Sequence, residues 1–178
     1  DASPEQMGRI ARELVAAEGL DLWEATRLLA LVNMSIFDGY VASFDGKFFY
    51  NHWRPYTAIR RASSDGNPAT REDTAWTNLH DHTYAFPSYP SAHGTVCAAA
   101  AAVFEDVFGE GYAFDMTIPE VDAAGPLSSK VPTDPATRSF ASFHEAAVEC
   151  SLSRLYLGIH FRYDSVAGTE LGRRVGEL

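Results

Sequence analysis

Cysteine is scarce in this chain: two residues, Cys97 and Cys150, among 178. That excludes a disulfide-dense scaffold and a cysteine-caged zinc site. Both fall inside helical patterns, and the expectation is two buried free thiols. Basic residues are the minority too, 14 Lys and Arg against 24 Asp and Glu, for a net charge of −10. Nucleic acid and anionic membrane surfaces need a basic face, so neither is expected as a partner. In so acidic a chain, a local convergence of Lys, Arg and His is informative. Long apolar runs are also missing. The longest, residues 96–104, is far too short to cross a bilayer, and Glu105 and Asp106 close it, so no membrane span is expected. The first residues, DASPEQMGRIARELV, have no signal-peptide pattern and no initiator methionine. The expectation is a processed product or the C-terminal part of a longer chain.

What remains is an ordinary globular composition, 46% hydrophobic and 21% charged, with no repeat and no shift that would divide it. One domain over residues 1–178 is expected. Ser3-Pro-Glu-Gln6 and Asp21-Leu-Trp-Glu24 both have the form of helix-starting capping boxes. After the second, Leu28, Leu29, Leu31, Val32, Ile36, Phe37, Tyr40 and Val41 make a helix apolar on most faces. That pattern predicts the buried central helix of a bundle, running to about the GKFFYNHW stretch before Pro55. Residues 60–90 are rich in Gly, Pro, Asn, Asp and Ser, and predict a long ordered loop of the kind that carries function. Further helices are predicted from residue 91 or 92 to 108, from 139 to about 157, and from 164 to 175, with a second loop over 109–138. Alternating segments are few, so the predicted fold is all-α, a helical bundle with two long loops.

Three clusters carry chemistry. Lys47 and Arg54 are seven apart, which on a helix returns to one face roughly 10 Å along the axis. A lone pair of this kind is ordinarily a solvated basic face. Its aromatic setting, GKFFYNHWRPY, is unlike such a face. Next, Pro90-Ser-Ala-His93 stands at a predicted helix start, where unpaired N–H groups and the dipole favour an anion. Ser91 is either a plain N-cap or a ligand donor, and His93 gains from a nearby anion or from staying neutral. Third, Arg154 and His160 are six apart, on different sides of a continuous helix unless Gly158 ends it. His160 and Asp164 are four apart, a spacing at which a carboxylate can orient an imidazole. The His80-Asp81-His82 triplet has metal-ligand character without further ligands at zinc spacing.

Read together as K-x6-R-P, P-S-A-H and S-R-x5-H-x3-D, these clusters closely resemble the tripartite signature of the type 2 phosphatidic acid phosphatase and vanadium-dependent haloperoxidase superfamily. The match runs from Lys47 to Asp164. The resemblance implies an α-helical bundle, in agreement with the periodicity. It implies that Lys47, Arg54, Ser91, Arg154 and a backbone N–H near Ala92 bind the oxygens of vanadate or phosphate. His160, oriented by Asp164, would be the apical ligand or the nucleophile, with Lys47 polarising bound peroxide and His93 as the acid–base residue. Phe44 and Phe86 stand where the family sets its halide environment. The implied activity is vanadate-dependent oxidation of halide by hydrogen peroxide to hypohalous acid. The alternative is a soluble acid phosphatase that cleaves phosphate monoesters through a phosphohistidine. The 59 residues between His93 and Ser153 resemble haloperoxidases more than compact phosphatases. Ala92 replaces the family's usual glycine: at a positive φ it would be strained, and at an ordinary helical position it would cost nothing. Family members also carry more helices before the first motif, so a missing N-terminal segment or a second copy of the chain is expected to cover the Leu28–Val41 helix.

Overall fold

The computed structural model describes residues 3–79, 81–117 and 137–178. The bundle consists of α1 (Ser3–Ala17), α2 (Leu22–Tyr50), the short α3 (Pro55–Arg60), α4 (Ala92–Phe108), α5 (Phe143–Tyr156) and α6 (Arg162–Gly176). Two four-residue strands, β1 (Phe114–Thr117) and β2 (Thr137–Phe140), pair antiparallel with Phe114 opposite Phe140. The all-α prediction therefore holds with one small ladder added. Ser139 and Phe140, predicted at the start of a helix, lie in β2, and α5 begins three residues later behind Ser142, whose hydroxyl accepts the Glu145 N–H. The capping box at Asp21 and Glu24 is formed. The side chain of Ser3 lies outside the described residues, as does His80.

The central buried helix is α4. Its alanines 98–101 and Val96, Cys97 and Phe104 are all enclosed. Alanine suits the position because it favours helix and lets neighbouring backbones approach. The neighbour that approaches is α6, which presents Gly168, Gly172 and Gly176 along one face at four-residue spacing. A methyl group at Gly172 would lie 2.0 Å from the Thr95 carbonyl oxygen. At Gly168 it would lie 2.4 Å from the Ser91 oxygen, and at Gly176 2.4 Å from that of Ala99. Backbone meets backbone along this seam. α5 closes on the same helix at Gly94, where a Cβ would sit 2.6 Å from the Ser151 hydroxyl.

That proximity overturns the expectation of free thiols. Cys97 on α4 and Cys150 on α5 are disulfide-bonded, their Cα atoms 6.7 Å apart. Helical placement of each cysteine says nothing about which faces meet, and here both face one contact.

The expectation that α2 is buried on most faces is also corrected. Its buried residues, Leu28, Val32, Ser35, Ile36, Gly39, Ser43 and Lys47, make one stripe at helical spacing. Met34, Phe37, Val41 and Phe48 point outwards, and Phe37 is 66% exposed. By length and composition the helical stretch over 22–60 is apolar enough to cross a membrane, a feature that no single apolar run betrayed. Its inward stripe nevertheless carries Ser35, Ser43 and Lys47 into the protein. α2 stops at Tyr50, and Asn51 takes the left-handed conformation at φ 46° while its N–H bonds the Lys47 carbonyl.

Candidate active site

Lys47 and Arg54 do not share a helix as their spacing suggested. Lys47 is in the last turn of α2, and Arg54 is the N-cap of α3, beyond the left-handed Asn51 that ends α2. They converge because residues 86–91, FPSYPS, run between them as a strap of carbonyls. The Lys47 ammonium donates to the carbonyls of Pro87 at 3.1 Å, Ser88 at 2.8 Å and Pro90 at 2.6 Å. Arg54 Nε donates to that of Phe86 at 3.0 Å. The Phe86 ring supports both cations, 5.5 Å from Lys47 Nζ and 4.9 Å from the Arg54 guanidinium carbon, and Phe44 lies behind it at 5.2 Å. A ring face attracts a desolvated cation. The Tyr84 ring flanks Arg54 at 5.3 Å.

The opposite wall comes from the helix seam. Ser91 is the N-cap of α4, its hydroxyl accepting the Gly94 N–H at 3.3 Å, and its own N–H donates to the Asp164 carbonyl at 2.9 Å. Ala92 opens the helix, and no positive φ occurs there, so the strained alternative for this alanine does not apply. α4 therefore turns its N-terminal end, the positive end of its dipole, towards the same place. His93 follows, half-buried.

Gly158, at φ +77°, ends the helical run after α5 and turns the chain, so Arg154 and His160 face one site despite their six-residue separation. His160 Nδ1 lies 2.9 Å from Asp164 Oδ2, and His160 Nε2 lies 3.0 Å from Arg54 Nη1. A guanidinium can only donate, so Nε2 is the acceptor and Nδ1 carries the proton given to Asp164. The site thus presents an imidazole whose Nε2 lone pair faces a cation. Asp164 Oδ2 also receives the Phe161 N–H at 3.0 Å and the hydroxyl of Ser88. Among the described residues its Oδ1 has no hydrogen-bond partner.

The electrostatics follow from burial. Among the described residues the buried cationic side chains are Lys47, Arg54 and Arg154 against one carboxylate, Asp164, an excess of two positive charges when Lys47 is protonated. Desolvation, reinforced by Arg54, drops Lys47 to about 7. Desolvation also lowers Arg54 to about 10, with Arg154 adding to the effect while Asp164 opposes it. Arg154 is lowered by burial, against the support of Tyr84. Burial pushes His93 down to about 3, helped by the charges of Arg154, Lys47 and Arg54. His160 falls to about 4 because burial outweighs its bond to Asp164. For Asp164, burial alone would raise the carboxyl. The hydrogen bonds from His160 and Ser88 outweigh it and hold the group below its ordinary value.

Every residue singled out from the sequence is therefore in one place: Lys47, Arg54, Ser91, Ala92, His93, Arg154, His160 and Asp164, with Phe44 and Phe86 alongside. Two others belong with them. Ser88 touches Asp164 and Lys47 but lies outside every motif and left no spacing signal. Tyr84, which supports Arg154, was legible only as one aromatic among several. Of the His80-Asp81-His82 triplet, His80 lies outside the described residues, among which no group of three or more His, Cys, Asp or Glu that could hold a metal ion is found.

In sequence and fold the chain resembles known proteins. At 28% identity over 82% of this chain, it is similar to the vanadium chloroperoxidase of Curvularia inaequalis, of which it spans 29%. The crystal structure of the first bacterial vanadium-dependent iodoperoxidase superposes with a TM-score of 0.77 at 27% identity, covering 99% of this chain and 38% of that one. A holo-type bacterial vanadium-dependent chloroperoxidase shares the fold with a TM-score of 0.70 at 17% identity, over 98% of this chain and 39% of that one. The chain thus spans less than half the length of each. The description VCPO second helical-bundle domain matches residues 27–178. With that match covering most of its length, and with the haloperoxidase-type helical bundle around its cation cluster, this chain belongs to the vanadium chloroperoxidase second helical-bundle domain family.

Proposed function

We propose that the cluster is a vanadate site and that the chain is the catalytic bundle of a vanadium-dependent haloperoxidase, oxidising halide with hydrogen peroxide to hypohalous acid. The observation that carries this is the buried excess of cationic side chains over carboxylates around an imidazole whose Nε2 lone pair faces one of them, Arg54. A buried surplus of charge is costly unless an anion neutralises it, so the cluster fits an oxyanion. Lys47, Arg54, Arg154, Ser91 and the first-turn N–H near Ala92 would hold its oxygens, and His160 Nε2 would be its nitrogen ligand. When bound, vanadate supplies the Lewis acidity that makes hydrogen peroxide an oxidant of halide.

The protein's part is positioning and charge. Asp164 holds His160 in the tautomer that leaves the Nε2 lone pair on the cation side. Lys47, lowered to about 7, is charged only in part when the site is empty and would take up its full charge beside a bound anion. His93, kept neutral by burial and by three cations, would gain basicity once a bound anion offsets those cations, and could then serve as the acid–base group. Phe86 and Phe44 exclude water from the cation side. The same Nε2 lone pair, backed by Asp164, is also a nucleophile for a phosphate ester, and this supports acid phosphatase as the second reading.

Two assays separate the readings. Bromide oxidation by peroxide that appears on adding vanadate, and is lost in His160→Ala, is expected. Hydrolysis of a chromogenic phosphate ester, inhibited by vanadate and unaccompanied by bromide oxidation, would replace the first reading by the second. Calorimetric vanadate binding tests the site itself, and an oxyanion bound equally well by His160→Ala would remove His160 from it.

A further inference from the structure

We infer that Ser88 is a positioning residue that locks the His160–Asp164 pair to the Lys47 anchor and so sets the spacing between imidazole and cation. The residue is fully buried and is bonded in four directions. Its hydroxyl donates to Asp164 Oδ2 and lies 3.4 Å from His160 Nδ1. Its carbonyl accepts the Lys47 ammonium at 2.8 Å, and its N–H donates to the His52 carbonyl at 2.9 Å. An ionised carboxylate only accepts, so the hydroxyl proton is committed to Asp164.

The geometry around the carboxylate says why such a residue is needed. Three donors, His160 Nδ1–H, Phe161 N–H and the Ser88 hydroxyl, converge on Oδ2, while Oδ1 has no hydrogen bond among the described residues. A carboxylate held through one oxygen can turn about its own axis. Phe161 and His160 are three and four residues from Asp164 in the same turn and move with it. Ser88 alone among the three comes from the strap, 76 residues away. It therefore fixes the carboxylate against a second element, the one that also grips Lys47. Without its hydroxyl the two halves of the site are joined less firmly, and the bond that orients His160 becomes heterogeneous.

The test uses the intact chain. In the ligand-free protein at fixed pH, the His160 Nδ1–H proton should give one protected resonance by NMR. Ser88→Ala is expected to broaden or split it, and to weaken inorganic phosphate binding about tenfold by calorimetry. Ser88→Thr, which keeps the hydroxyl, should restore both. A sharp resonance at the wild-type position in Ser88→Ala overturns the inference, even if the melting temperature drops, because that would be a structural role alone. If Ser88→Ala does not fold, Ser88→Cys, similar in volume and a weaker donor, should give the same changes to a smaller degree. The affinity measurement rests on the proposed oxyanion site, whereas the resonance does not. Phosphate binding unchanged in His160→Ala would sink that proposal and leave the resonance to decide this one.

Discussion

The two walls of the site are built on opposite principles. One wall, bearing Ser91, His93, His160 and Asp164, hangs on the α4–α6 seam, where small residues let backbones touch and almost nothing is charged. The other, bearing Lys47 and Arg54, hangs on a strap of carbonyls, where two buried cations are bonded and the backbone has no regular structure. The seam places groups by excluded volume. The strap places them by electrostatics. A seam of this kind tolerates no added atom, while a strap tolerates changes of shape but not of charge.

The seam should therefore break most completely. Gly172→Ala puts a methyl group 2.0 Å from the Thr95 oxygen, one helical turn into α4. Overpacking against backbone cannot relax by a rotamer change, and the expected cost is about 3 kcal/mol or more in a urea titration. Oxyanion binding should fall with it, because the Ser91 cap and Asp164 are held through the same contact. A variant as stable as the parent would mean that α6 does not lie on α4 as described.

The strap should answer to charge. Lys47→Met keeps the apolar stem and loses the ammonium, and the expected result is a ten- to hundred-fold loss of vanadate or phosphate affinity, from about 1.5–3 kcal/mol for a hydrogen bond to a charged group. The pH dependence sharpens this. With Lys47 near 7 in the free protein, an anion bound above that pH must bring a proton with it. Wild-type affinity should then fall towards that of Lys47→Met as pH rises from 7, by up to about tenfold per unit. Measuring the ratio of the two proteins cancels the titration of the anion itself. A ratio constant from pH 6 to 9 would show that Lys47 does not meet the ligand.

How much of this was legible in the sequence follows from the same contrast. Side chains with chemistry announced themselves by type and spacing, so the three clusters and the helical bundle could be read before any fold was known. Backbone carbonyls have no side-chain signature, and the strap that makes Lys47 and Arg54 converge was visible only as a loop. Their seven-residue spacing pointed to one helix for a reason that turned out not to apply, since α2 ends at Asn51 between them. The seam did leave a signal, glycines at 168, 172 and 176, which a search for small residues at four-residue spacing would find. The disulfide left none, because which faces of two helices meet is a tertiary fact. The apolar outer face of α2 shows the same limit: periodicity revealed a rich helix without saying which stripe would be covered.

Acid should strain the seam wall, less than either substitution. His93 and His160 are held near 3 and 4 when folded and return to an ordinary histidine value when unfolded. Between those values and about 6.5 the unfolded chain binds more protons, so stability falls as pH falls through that window. Asp164, lowered in the fold, acts in the same direction further down. The urea midpoint should drop steadily from pH 7 to pH 4, and His93→Gln should flatten part of the slope. A midpoint independent of pH over that range would mean that the two imidazoles are not buried as neutral groups.

The smallest effect is expected at the joint between the walls. Ala92 stands where the strap ends and α4 begins, at the position where the family resemblance implies a glycine. It takes no positive φ and is already the first residue of the helix, so its methyl group is neither strained nor in the way of its N–H. Ala92→Gly should leave oxyanion affinity unchanged within twofold and lower stability by at most about 1 kcal/mol, the entropic penalty of glycine in a helix. Greater affinity in the glycine variant would mean that the backbone at this joint must bend to meet the anion, and that the strap side of the site rearranges on binding while the seam stays still.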